Sequence, residues 1–150
     1  MREFPSLADF AQAAGQHLGY GDWMEIDQHR VDLFADATGD HQWIHVDPER
    51  AAAGPFKQTI AHGYLTLSLV PALVADVYRV GGVRMAVNYG LNKVRFPAPL
   101  PVGSRVRAGV ELVEVTGVDG GVQVTARVTV EAAGVPKPCC VAETVARMYS

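Results

Sequence analysis

The sequence predicts an α+β domain in which an antiparallel sheet wraps one long buried helix. Three observations carry that expectation. Residues 62–82 place Leu65, Leu67, Leu69, Val70, Leu73, Val74 and Val77 on nearly every side of a helix, and a helix apolar all round must be enclosed. Val106, Ala108, Val110 and Leu112 alternate with polar residues or glycine, as do Val122, Val124, Ala126, Val128 and Val130. Period-two alternation of this kind marks antiparallel strands with one wet face. Between the two runs, Asp119-Gly120-Gly121 suits a hairpin turn.

The remaining elements follow in chain order. Ser6 with Asp9 three residues on resembles a capping box, and Leu7, Phe10, Ala11, Ala14 and Leu18 recur at helical spacing towards a stop at Gly19. Residues 23–27 suit a short strand. Asp27 then caps a second helix, with Val31, Phe34 and Ala35 on its inner side and Gly39 at its end. Asp47-Pro48-Glu49 reads as the cap and first turn of a further short helix, because proline at the first helical position gives up no hydrogen bond. Trp43-Ile44 has the look of strand or loop. Residues 85–96 and 139–149 supply two more strands.

Length and composition exclude several classes. A chain of 150 residues, 49% apolar, fits one domain spanning 1–150 with a sizeable core. Charged residues are only 19% and the net charge is -3, which argues against a disordered module. Thirteen Lys and Arg face sixteen Asp and Glu without any basic run, so nucleic acid is not an expected partner. A cytoplasmic protein with no membrane segment is expected. The first residues lack the apolar core of a signal peptide, and Pro71, Asp76 and Arg79 break the most apolar stretch. The adjacent Cys139 and Cys140 build no disulfide framework and have the look of strand residues rather than nucleophiles.

Chemistry concentrates before the long helix, where Asp36, Asp40, His41, His45 and Asp47 crowd a turn-rich segment and His62 follows. Asp40 and His45 flank the apolar pair Trp43-Ile44, and a carboxylate and an imidazole near an apolar wall titrate as a coupled acid–base pair. Plainer readings stand beside this one. An Asp after a glycine often serves as a turn or cap, and a single His often only packs. His41 and His45 stand four apart, but HQWIH lacks the glutamate of the HExxH zinc helix, so no metal is expected. Lys93 and Arg95 alternate with Val94 and Phe96 as a solvated strand face.

Residues 34–69, FADATGDHQWIHVDPERAAAGPFKQTIAHGYLTLSL, resemble the hydratase motif of the MaoC-like dehydratases, a family that includes (R)-specific enoyl-CoA hydratases and the nodulation protein N group. The likeness rests on Gly39-Asp40, His45 after the apolar pair, Asp47-Pro48, and Ala61-His62-Gly63 opening the long helix. It is closest to the short members with a single hot-dog fold, of the mycobacterial type. The resemblance implies reversible addition of water to a trans-2-enoyl thioester, giving the (R)-3-hydroxyacyl thioester. It implies that Asp40 and His45 activate the water and that the Gly63 N–H receives the charge of the thioester oxygen. A free N–H at a helix N-terminus suits that oxyanion on general grounds.

The chain also departs from the family. Gln42-Trp43 stands where many members have Asn-Pro, which makes Gln42 a candidate beside the site and Trp43 a candidate wall of the acyl pocket or a core residue. His62 reads as a helix cap or loop anchor in preference to a reacting group. No cofactor is expected beyond coenzyme A carried on the acyl-CoA substrate. The family's edge-to-edge sheets imply a homodimer. A hot-dog acyl-CoA thioesterase and a non-catalytic acyl-thioester binding subunit remain as alternatives.

Overall fold

In the computed structural model, which covers residues 1–150, eight strands and six short helices form one α+β layer pair. The strands are β1 (Arg2–Phe4), β2 (His17–Tyr20), β3 (Met24–Glu25), β4 (Tyr78–Val80), β5 (Met85–Arg95), β6 (Arg105–Val118), β7 (Gly121–Ala132) and β8 (Cys140–Tyr149). The helices are α1 (Leu7–Ala11), α2 (Gln28–Thr38), α3 (Trp43–Val46), α4 (Pro48–Ala52), α5 (Gly63–Ser68) and α6 (Val70–Ala75).

The main sheet runs β2-β6-β7-β8-β5, antiparallel throughout, with β3 also on β6. The alternation read in the sequence decides which face is covered. Val106, Ala108, Val110 and Leu112 of β6 and Val124, Ala126, Val128 and Val130 of β7 are buried, packed with Leu65, Val70, Leu73 and Val77 from the helical layer. Ser6 and Asp27 cap α1 and α2 by accepting from the Asp9 and Arg30 N–H groups. Asp47 caps α4, which begins at Pro48. No helix is long and apolar enough to cross a membrane.

Three expectations fail for physical reasons. The helix from Leu7 ends at Ala11 instead of reaching Gly19, because residues 17–20 pair with β6 and bury Leu18 as a strand residue. The central helix is broken: Pro71 has no N–H for the Leu67 carbonyl, so α5 ends at Ser68, and the regular bond resumes where Leu73 donates to the Leu69 carbonyl at 3.0 Å. It also stops at Ala75 rather than near Gly81, since Tyr78–Val80 pairs in parallel with β1, a contact 76 residues away in sequence from Arg2 to Tyr78. Phe10 secures that corner, edge-on to Phe4 and stacked on Tyr78, each at 5.1 Å. Trp43-Ile44 is neither strand nor loop but opens the one-turn α3, closed by the Asp47 N–H on the Trp43 carbonyl at 3.1 Å.

Candidate active site

Asp40 owes its place to the end of α2. Gly39 takes the left-handed conformation, φ 79°, that ends a helix at no steric cost for glycine, and its N–H donates to the Ala35 carbonyl at 2.8 Å. The chain therefore turns, leaving the Asp40 carboxylate exposed, where one oxygen accepts the Gln42 N–H at 3.4 Å. One turn of α3 then carries His45 inward, where it is only 7% exposed.

His45 is held in one tautomer. Its Nδ1 lies 2.6 Å from the Ile60 carbonyl, which can only accept, so Nδ1 carries the proton and Nε2 is left as a bare acceptor. Its main chain is fixed as well: the Gln28 amide donates to the His45 carbonyl at 2.8 Å, and the buried Thr59 hydroxyl donates to the Gln28 side-chain oxygen at 2.7 Å. Burial pushes the His45 pKa below its ordinary 6.5, against the Ile60 carbonyl, with His62 lowering it further and Asp40 opposing.

His62 completes the cluster. It is 2% exposed, its Nε2–H donates to the Asp40 backbone carbonyl at 3.0 Å, and its ring stacks on His45 with centroids 3.9 Å apart. It stands at the N-cap position of α5, but its side chain makes no capping bond; it anchors the Asp40 loop instead. One carboxylate oxygen of Asp40 and one ring nitrogen each of His45 and His62 lie within 4.8 Å of one another. A metal ion is poorly matched to this set. Imidazoles bind metals through in-plane lone pairs, which stacked rings do not aim at one point.

Gly63 follows directly. Its N–H and that of Tyr64 have no acceptor in the chain. A Cβ at Gly63 would sit 3.0 Å from the Phe96 ring, so that ring approaches the backbone as closely as glycine allows. Phe96 and Phe34, whose ring meets His62 edge-on at 5.0 Å, line a hollow of about 600 Å³ with Thr38, Tyr64, Leu67 and Val94. A second hollow of about 410 Å³ shares Leu67, Ser68 and Leu91 with it, making one mainly apolar trough along α5 and β5.

The crowded sequence segment thus divides. Asp40, His45, His62 and Gly63 come together, whereas His41 pairs at the surface with Asp36 at 2.9 Å and Asp47 caps α4. The exposed Gln42 side chain makes no hydrogen bond within the chain, and Trp43 packs on Gly54 and under the Arg50 guanidinium at 4.5 Å, outside the trough. Lys93 and Arg95 lie with Arg127 and Glu143 around a separate hollow of about 380 Å³. Gln28, Thr59 and Ser68 carry no local signal: the first two meet across 31 residues, and Ser68 is a helix serine whose hydroxyl donates to the Tyr64 carbonyl.

Known proteins resemble this chain in sequence and in fold. The MaoC-like domain profile matches residues 9–133. The chain is 63% identical over 148 residues to 3-hydroxyacyl-thioester dehydratase Z of Mycobacterium tuberculosis, covering 98% of each. It is 43% identical over 144 residues to nodulation protein N of Rhizobium meliloti, covering 94% of this chain and 89% of that one. The solved structure of the (R)-hydratase from A. caviae superposes with a TM-score of 0.72 at 25% identity, over 89% of this chain and 94% of that one. With its helix-and-sheet architecture, the hot-dog fold, this chain belongs to the MaoC-like family of dehydratases and hydratases.

Proposed function

We propose that the protein is an (R)-specific enoyl-CoA hydratase, adding water reversibly and on one face to a trans-2-enoyl thioester. The observation that carries this reading is that a carboxylate oxygen of Asp40 and a ring nitrogen of His45 lie within 4.8 Å of each other, on an imidazole whose bond to the Ile60 carbonyl leaves Nε2 as the bare nitrogen. Two hydrogen bonds of about 2.8 Å meeting at one water oxygen span about 4.5 Å, so a single water fits between them. His45 suits the base role because its lowered pKa leaves the ring neutral near pH 7.

In the forward direction the pair takes a proton from water as the water oxygen bonds to C3. The C2–C3 π electrons move to the thioester, whose oxygen becomes an enolate beside the Gly63 N–H. The pair then returns a proton to C2 on the same face, the enolate collapses, and the site is restored. No step calls on a metal or redox group. Coenzyme A enters as the substrate's carrier, and the apolar trough beside Phe96 suits an acyl chain. The homologue's name as a 3-hydroxyacyl-thioester dehydratase supports this substrate class.

The reading extends to a homodimer working in the cytoplasm. One edge of the 11-residue β5 is unpaired, and Met85, Val87, Tyr89 and Leu91 stand exposed along it, a surface that pairing with a second copy would cover. The test of function follows the ultraviolet absorbance of crotonyl-CoA and resolves the product. Loss of the conjugated absorbance with an intact thioester and an (R) product supports the reading. Release of free thiol overturns it in favour of a thioesterase, and binding without reaction overturns it in favour of a binding subunit.

A further inference from the structure

His62 presents a physical oddity that the acid–base pair does not require. Its Nε2–H is spent on the Asp40 carbonyl, so Nδ1 is an unprotonated acceptor, and that nitrogen is fully buried with no hydrogen-bond partner. A bare buried acceptor costs stability, and an apolar ring of similar size would fill the same space without that cost. The histidine is therefore not the choice that packing alone favours. What it supplies is one directed bond and one flat surface. The bond reaches the backbone of Asp40, a residue otherwise exposed in the turn after α2 and held only by a long contact to Gln42. The flat surface lies against His45, with the two ring planes 24° from parallel.

We propose that His62 is a positioning residue for the hydration reaction, its Nε2–H fixing the Asp40 backbone and its ring backing His45, so that His62 sets the gap between carboxylate and imidazole. The inference rests on the hydratase reading above. The two contacts act at opposite sides of the gap: lose the first and Asp40 drifts with its turn, lose the second and His45 can tilt about its bond to Ile60. Misplacement of a reacting group by about 1 Å can cost on the order of 100-fold in rate. The charged and titratable groups facing His45 are Asp40 from the turn after α2 and His62 from the start of α5; the Ile60 carbonyl and Gln28 amide are neutral.

The test compares His62→Phe, which keeps a ring but has no donor, with His62→Gln, whose amide reaches the place of Nε2. In the whole protein, His62→Phe is expected to melt no lower than wild type, to lose about 100-fold in kcat, and to hold KM within about threefold. His62→Gln is expected to regain about tenfold of that loss by restoring the bond to Asp40. Wild-type kcat in His62→Phe overturns the proposal, as does an equal loss in both variants. If His62→Phe fails to fold, the packing argument is refuted. A readout independent of turnover is the NMR signal of the His45 ring, which in His62→Gln loses the ring-current shift of the stacked His62 ring; an unmoved signal contradicts the contact. That signal separates failure of this proposal from failure of the hydratase reading, which would abolish turnover in wild type as well.

Discussion

Replacing Gln28 by leucine tests how the base is held, and the structure gives the size of the effect. The side chain makes three hydrogen bonds: its amide nitrogen donates to the His45 carbonyl at 2.8 Å and to Asp32 at 2.9 Å, and its oxygen accepts from Thr59 at 2.7 Å. The bond to Asp32 is exposed and contributes little. The other two are part-buried, worth about 1 kcal/mol each, and the Thr59 hydroxyl and His45 carbonyl left unpaired add a desolvation cost that brings the total to about 2–4 kcal/mol. At about 2–4 °C per kcal/mol for a chain of this length, the melting temperature falls by about 5–15 °C. Adding Thr59→Val removes one orphaned group, so the double variant costs less than the sum of the two single variants by about 1 kcal/mol. Urea unfolding of the wild type, both single variants and the double gives the cycle, and kcat of Gln28→Leu should fall by up to about 100-fold as His45 loses its main-chain anchor. Stability within about 0.5 kcal/mol of wild type, or strict additivity, would refute the network.

Four further outcomes follow from the charges and burial. Because burial holds the His45 pKa below 6.5, the acid limb of kcat/KM lies below that value. The same shift makes folding sensitive to acid. The unfolded chain takes up a proton at pH values where the folded chain does not, so this contribution is complete above 6.5 and is lost as pH falls through the folded value; the slope of stability with pH should be shallower in His45→Gln. His41, whose pKa is raised by its hydrogen bond to Asp36, lies at the surface, and His41→Ala should leave kcat and KM unchanged, as steady-state kinetics will show. Burial pushes the thiols of Cys139 and Cys140 up to about 12 and about 11, so a thiol reagent at neutral pH should label neither in the native protein and both after unfolding.

Much of this was legible in the residues because it depends on local rules. The period-two runs of β6 and β7 place one face in the core wherever they pair, and Ser6, Asp27, Gly39 and Asp47 act within three or four residues of themselves. Asp40, His45 and His62 were recognisable as types of chemistry, and the spacing of the motif reflects the turn of α3 between two loops that return to the same place. What stayed hidden depends on partners distant in sequence. Leu18 fits a helical pattern as well as a strand, and only pairing with β6 decides between them. Residues 78–80 read as the tail of a helix until β1 lies beside them. Pro71 gave a local warning that the helical run would break, but the apolar pattern on both sides of it outweighed that signal. Gln28 and Thr59 are ordinary polar residues whose service to His45 arises only when 31 residues of chain fold back on themselves.

The central claim is that Asp40 and His45 act as one unit on a single water. The measurement that tests it most directly is the kcat for crotonyl-CoA hydration by Asp40→Asn, His45→Gln and the double variant, each shown to be folded by circular dichroism. If the two groups work together, each single change lowers kcat by about 100- to 10,000-fold, and the double is little worse than the poorer single variant. Wild-type turnover in Asp40→Asn, or losses that multiply in the double variant, would contradict the account.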